Sequence, residues 1–278
     1  MNNHHDDLLS TTEVVQKQQP RHRSVVEMLR SAETTTICAP MVRYSKMPFR
    51  HLVRRYACDI AYTPMIISDS FLQSASCRDS EFTTNALDRP LVVQFAAAKP
   101  RDFADAAEMV APYADGVGLN AGCPQRWAMK EGYGAEMIKK PELLKDYVRM
   151  ARAQCAGAGD DFAVSVKIRL HKDVKRTVEM CQQLEHVGVS YIDVHGRTAV
   201  ERHQPVHYDA IKLIKENVGV PVVANGDVTS LKEVEQIADV TSGCFVLYLK
   251  CCCCILSIKL KLLFQFNIIT RRLSQNVV

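Results

Sequence analysis

Leu119-Asn120-Ala121-Gly122-Cys123-Pro124-Gln125 closes an apolar run at 115–119 and is closely followed by Gly132-Tyr133-Gly134-Ala135. The run reads as a strand. Glycine at 122 lets the backbone turn tightly, and proline at 124 stops the strand from continuing. Cys123 is therefore expected at the C-terminal end of a strand, where α/β barrels carry their chemistry. The competing reading is that of a small buried apolar residue.

Outward from this stretch, short apolar runs alternate with amphipathic segments. Strands are expected at 36–41, 60–65, 90–95, 115–119, 162–168, 191–194 and 221–224. Helices are expected at 48–57, 101–110, 141–155, 174–187, 208–217 and 230–238. Short continuous apolar strands in this order imply a parallel sheet covered by helices. Seven β-α units are one short of a closed (β/α)8 barrel. The apolar segment 243–249 has the composition of an eighth strand, and without it the first and seventh strands would be open edges. Four consecutive cysteines follow at 251–254, then a stretch without helix caps, turn signals or acidic residues. The expected organisation is a polar N-terminal extension at 1–33 with a short helix at 25–29, a barrel at 34–240 and an atypical tail at 241–278.

The chain has 278 residues and a formal net charge of +4. Residues 243–278 hold five Lys and Arg and no acid, leaving 30 basic against 31 acidic residues elsewhere. Composition alone thus shows no basic body of the kind a nucleic-acid-binding domain presents. Of 11 cysteines, those at 38, 58, 77, 123, 155 and 181 are scattered without C-x-x-C spacing, the pattern of a reducing compartment. No secretory or mitochondrial signal is read at the N-terminus, so a cytoplasmic location, or a nuclear one, is expected. Lysines at 250, 259 and 261 interrupt the apolar tail, and a membrane span needs about 20 largely apolar residues; no span and no metal site are expected.

Residues 120–144, NAGCPQRWAMKEGYGAEMIKKPELL, resemble the active-site segment of the flavin-dependent tRNA dihydrouridine synthases. Gln125-Arg126-Trp127-Ala128-Met129 is most similar to the eukaryotic branch that modifies uridines 20a and 20b of the D loop. The resemblance extends over residues 37–239. It implies a TIM barrel of the FMN-binding type, with FMN as cofactor, NADPH or NADH as reductant and tRNA as substrate. It implies Cys123 as the acid that protonates C5 of the uracil, and it places Pro40, Met41 and Val42 against the flavin.

Other positions combine their own signal with this resemblance. Gln94 is the single polar residue of Leu91-Val92-Val93-Gln94-Phe95, and its amide can both donate and accept; a core glutamine bonded to backbone is equally consistent. Lys167 sits inside Val164-Ser165-Val166-Lys167-Ile168, where an ammonium is costly unless paired; a reduced flavin would be a partner. Asn120 and His195 stand at strand ends and are assigned to the flavin. Asn225-Gly226-Asp227 is a glycine turn of the kind that presents amides to a phosphate. Arg169, two residues beyond Lys167 on the same strand face, is expected to meet flavin or RNA, and is assigned with Arg126 and Arg197 to the substrate. A second phosphate-binding turn after an eighth strand, and the helical tRNA-binding domain of related enzymes, have no counterpart in 241–278. Low flavin content and weak activity are therefore expected, and a truncated inactive isoform remains an alternative. The other alternative is an FMN barrel oxidoreductase acting on a free pyrimidine. The oligomeric state is not legible, with a monomer the default.

Overall fold

The computed structural model describes residues 23–31, 35–241 and 245–248. Its strands are β1 (Ile37–Cys38), β2 (Ile60–Tyr62), β3 (Ile66–Ile67), β4 (Leu91–Ala96), β5 (Gly116–Ala121), β6 (Ala163–Leu170), β7 (Tyr191–Thr198), β8 (Val222–Asn225) and β9 (Phe245–Tyr248). The helices are α1 (Val25–Arg30), α2 (Met47–Arg54), α3 (Ser68–Gln73), α4 (Ala75–Glu81), α5 (Pro100–Val110), α6 (Arg126–Lys130), α7 (Pro141–Gln154), α8 (Val174–His186), α9 (Tyr208–Glu216) and α10 (Leu231–Val240). The expected helices are present; α3, α4 and α6 are additions that carry no long amphipathic period.

Every strand pairing is parallel. β1 pairs β2, β2 pairs β4, and β4 to β9 pair in succession. β9 also pairs β1, with Ile37 opposite Leu247 and Cys38 opposite Tyr248. The sheet therefore closes as an eight-stranded ring, an α/β barrel. Of the two outcomes left open by the sequence, the apolar segment after 243 does fill the gap. The strand lies inside 241–278, the stretch expected to replace the last barrel unit. The rest of that stretch beyond residue 248, with the cysteines at 244 and 251–254, lies outside the described residues, as does most of the expected extension at 1–33.

β2 and β3 are two parts of one interrupted strand: Ala61 lies opposite Leu91, and Ile66 opposite Phe95. Pro64 interrupts the ladder because it has no N–H to give. Thr63 repairs the break, its N–H donating to the Val92 carbonyl at 3.0 Å while its Oγ1 accepts from Gln94 N at 3.0 Å.

The core has two layers. Between strands and outer helices, Phe71, Phe95, Phe103 and Tyr147 meet edge to face, with centroids 5.3, 6.5 and 6.0 Å apart along the series, a geometry that adds about 0.5–1.5 kcal/mol per pair beyond burial. Inside the ring, Ile37, Ile60, Tyr62, Val92, Ala163, Tyr191 and Val223 pack with Val25 and Leu29 of α1. Helix α1 thus plugs the N-terminal mouth. Its start is held by a capping box in which Ser24 Oγ accepts from Glu27 N and the Glu27 carboxylate accepts from Ser24 N, and such a cap contributes about 1 kcal/mol. With that end sealed, the other mouth is the one available for chemistry.

Candidate active site

The C-terminal strand ends surround a cleft of about 280 Å³. Lys167 and Arg169 of β6 and His195 and Arg197 of β7 line it, facing Pro40 and Met41 after β1, Asn225 at the end of β8, and Gly226 and Asp227 after it. Register explains the convergence. Lys167 lies opposite both Asn120 and Asp193, Arg169 opposite His195, and His195 opposite Asn225. Paired residues share a face of a parallel sheet, so two successive polar rows, Asn120–Lys167–Asp193 and Arg169–His195–Asn225, stack at this end of the barrel.

Cys123 occupies the turn after β5, held from both sides. Asn120 Oδ1 accepts from Gly122 N at 3.2 Å and Cys123 N at 2.9 Å. Asn120 Nδ2 in turn donates to Gln94 Oε1 at 2.8 Å. From the far side, Ala135 N donates to the Cys123 carbonyl at 3.0 Å. Gly134 makes that approach possible: its φ is +65°, and a Cβ there would lie 2.5 Å from the Cys123 carbonyl oxygen. The two motifs that stand apart in sequence are therefore one unit in space. Cys123 is half-buried and packs against the cluster of Ala96, Ala128 and Tyr133.

The loop carrying Pro40 and Met41 is fixed by residues the sequence reading did not single out. Ser45 Oγ accepts from Met41 N at 2.8 Å and donates to the Ala39 carbonyl at 3.0 Å. Arg50 donates to the Ser45 carbonyl at 2.6 Å and to Asp88 Oδ2 at 2.6 and 2.9 Å. Both Arg50 and Asp88 are fully buried, and Arg54 donates to the other Asp88 oxygen at 3.3 Å.

The cleft is electropositive, with Lys167, Arg169, Arg197 and Arg202 against Asp227, a composition that attracts anions. Arg197 Nη1 donates to Asp227 Oδ1 at 2.9 Å and its Nε to the Gln204 carbonyl at 2.6 Å. Arg169 donates to the carbonyls of Gly122, Thr198 and Glu201, tying the Cys123 turn to the loop after β7. Lys167 Nζ donates to Asn225 Oδ1 at 2.8 Å. Burial draws the lysine down to about 8, against the pull of Asp193. Burial, followed by the charges of Lys167, Arg169 and Arg197, drives His195 down to about 3, so its imidazole is neutral at physiological pH. Two buried nitrogens at this end, Gln94 Nε2 and His195 Nδ1, have no hydrogen-bond partner. Such orphans are costly in a finished interior and mark places where another group belongs.

Nine of the residues singled out from sequence line the cleft. Gln94, Asn120 and Cys123 stand beside it on β4, β5 and the turn after β5. Val42 is 53% exposed and, like the exposed Arg126 that begins α6, is not among its lining residues. Arg202 and Val228 join the cleft without a sequence signal. Asp193 did carry one: it is an acid inside the apolar run Tyr191-Ile192-Asp193-Val194, the same signal that marked Lys167. Among the described residues no group of three or more His, Cys, Asp or Glu is placed to hold a metal, and no helix is long and apolar enough to cross a membrane.

The family model for dihydrouridine synthases matches residues 37–252. The chain is 58% identical over 223 residues to the human tRNA-dihydrouridine(20a/20b) synthase [NAD(P)+]-like protein, covering 80% of this chain and 70% of that one. It is 44% identical over 218 residues to the tRNA-dihydrouridine(20a/20b) synthase [NAD(P)+] of Schizosaccharomyces pombe, covering 78% and 66%. Among solved structures, 2,3-dimethylmalate lyase superposes with a TM-score of 0.53 at 7% identity, over 90% of this chain and 83% of that one; this likeness concerns the fold alone.

Proposed function

The chain belongs to the dihydrouridine synthase family, and on that premise we propose that it forms dihydrouridine at D-loop positions 20a and 20b of tRNA, with FMN bound and NADPH or NADH as reductant. The names of the human and fission yeast relatives support the tRNA positions and the nicotinamide. FMN rests on the resemblance and on the fit of the residues. The observation that carries the reading is that the orphaned Gln94 Nε2 and His195 Nδ1 stand at the same barrel end as Lys167 and Cys123.

Bound there, FMN would be held by Gln94, Asn120, Lys167 and His195 at its ring, and by Pro40 and Met41 against its face. The turn Asn225-Gly226-Asp227 offers backbone amides to its phosphate, and Arg197 neutralises the Asp227 carboxylate that would otherwise repel that group. When bound, FMN would supply reducing equivalents, drawn from the nicotinamide, to C6 of the uracil. Lys167 places an ammonium where negative charge develops. The Cys123 thiol gives a proton to C5, acting as an acid and not as a nucleophile; solvent returns the proton. The C5–C6 double bond becomes single as one nicotinamide is oxidised. The uridine must leave its stack to reach the cleft, and Arg169 shapes the mouth it enters by joining two loops. Phosphate contacts should make tRNA affinity fall with salt.

The inactive-isoform alternative took its motive from an incomplete eighth unit and from the lack of a second phosphate-binding turn and a helical domain in 241–278; β9 supplies the eighth strand, and the stretch that would hold the other two lies outside the described residues. The free-pyrimidine alternative is settled by substrate. The test is to supply the purified full chain with NADPH and either unmodified tRNA or free uridine, and to quantify dihydrouridine. Dihydrouridine is expected in tRNA only. Cys123→Ala should keep its flavin and still oxidise NADPH, with dihydrouridine formation down by about 10²-fold or more. Undiminished formation in that variant, or preference for free uridine, would sink the reading.

A further inference from the structure

Beneath the cleft, inside the barrel, lies a polar group with no place in the mechanism above. Asp193 of β7 is fully buried. Its Oδ2 accepts from Tyr62 Oη at 2.8 Å, and Tyr62 Oη is 2.6 Å from Tyr191 Oη. A phenol has one proton; Tyr62 spends its own on Asp193, so Tyr191 donates to Tyr62. Burial raises both phenols above their ordinary range, so neither ionises near neutrality. Gly118 makes room for the arrangement, since a Cβ there would lie 3.3 Å from the Tyr62 ring and 3.0 Å from Ser165 Oγ. The other carboxylate oxygen, Oδ1, is buried without a partner. A buried carboxylate half satisfied by one phenol, itself held by a second, is expensive unless a cation stands near. The cation is Lys167, directly opposite Asp193 in the β6–β7 register.

We propose that Asp193, clamped by Tyr62 and Tyr191, is a positioning residue for Lys167, the buried counter-charge that keeps its ammonium protonated at the mouth of the barrel. The surroundings leave it that role. Arg169 on the same strand, Arg197 on β7 and Arg202 from the following loop all oppose a further positive charge. Asn120 of β5 and Asn225 of β8 flank Lys167 without titrating. His195 is neutral, and the Asp227 carboxylate is engaged by Arg197. Asp193 is thus the ionised acid facing Lys167 from the packed strands. Their mutual effects agree in sign: Asp193 holds the lysine up against its burial, and Lys167 holds the acid down against its own, leaving it at about 6. The consequence for catalysis rests on the proposed function, because a charged Lys167 matters to turnover only where a flavin lies against it.

The test separates the two. In flavin-free full chain carrying 13Cε-lysine, the Lys167 resonance is assigned by its loss in Lys167→Met and titrated. In Asp193→Asn its midpoint should fall by about one pH unit or more, and Asp193→Glu should recover part of the shift. Linkage requires the reciprocal result. In Lys167→Met the Asp193 carboxyl midpoint, followed by 13Cγ, should rise by a similar amount; this holds even where Asp193→Asn does not fold. An unmoved Lys167 midpoint in Asp193→Asn, or an unmoved Asp193 midpoint in Lys167→Met, overturns the proposal. With flavin bound, the alkaline limb of the NADPH-dependent rate should move to lower pH in Asp193→Asn. A wild-type chain that takes up no flavin would defeat the proposed function, while the two titrations still decide the role of Asp193.

Discussion

Lys167 shows what a site residue costs. Its ammonium sits among apolar strand neighbours, and burial lowers it to about 8, whereas in the unfolded chain it titrates near ~10.4. Between these values the unfolded state binds more protons than the folded one. The lysine's contribution to stability therefore rises with pH across that window and is lost as pH falls through the folded value. Wild type should therefore gain stability relative to Lys167→Met as pH rises from about 8 to 10, whatever the offset left by the unpaired Asp193; denaturant unfolding at several pH values reads this. A relative loss with rising pH would mean that the charged form is favoured by folding. Gly134 poses a steric question instead. Gly134→Ala sets a methyl 2.5 Å from the Cys123 carbonyl oxygen at a φ of +65°. A loss of about 1–3 kcal/mol is expected, and dihydrouridine formation should fall more than flavin content, because the displaced part is the Cys123 turn. Equal stability and activity in that variant would mean the contact relaxes without consequence.

At the scale of elements, the decisive device is the clamp between α2 and the segment before β4. Asp88 is fully buried and accepts from Arg50, Arg54 and Thr84. Arg50 hands that anchoring on to Ser45, whose hydroxyl shapes the turn holding Pro40 and Met41. Removing one partner of a buried pair leaves an uncompensated charge and costs about 3–5 kcal/mol. Asp88→Ala should lose stability on that scale by urea unfolding. Flavin affinity should weaken as well, although the residue lies outside the cleft. Unchanged flavin affinity in a folded Asp88→Ala protein would show that the turn keeps its shape without the clamp.

At the scale of the molecule, the ring is closed by one short strand. β9 pairs β8 through Ala224 opposite Val246, and pairs β1 through the two residues that follow. Both edges of this short strand are used, so a proline inside it removes a ladder hydrogen bond and leaves a buried carbonyl unpaired, at about 1–3 kcal/mol. Val246→Pro should lower the unfolding midpoint and release flavin, because β1 and β8, the neighbours of β9, both feed loops into the cleft. Retention of flavin and cooperative unfolding in that variant would show that seven strands suffice. Charge is also organised at this scale: in a nearly neutral body, Lys167, Arg169, Arg197 and Arg202 meet at one mouth, a placement that suits the phosphorylated cofactor and polyanionic substrate of the proposed function.

What the sequence determined by itself was local in origin. Apolar runs of strand length, broken by glycine and proline, placed the strands and put Cys123, Lys167, His195 and Asn225 at or near their C-terminal ends. A charge inside an apolar run is visible in one dimension because its burial cost does not depend on which partner meets it. The tertiary structure decided the matters that depend on partners. Tyr62 meets Tyr191 and Asp193 across 129 and 131 residues, a meeting set by barrel register and not by any neighbouring residue. Arg169, expected from its spacing to meet flavin or RNA, spends its donors on three carbonyls because two loops converge on it. Arg126 carries the same charge but begins an exposed helix outside the cleft. Residues 245–248 were legible as a candidate eighth strand, but whether they closed the ring was not. A short apolar segment becomes a strand only when two open edges stand ready to pair with it, and those edges are made by residues far away in the chain.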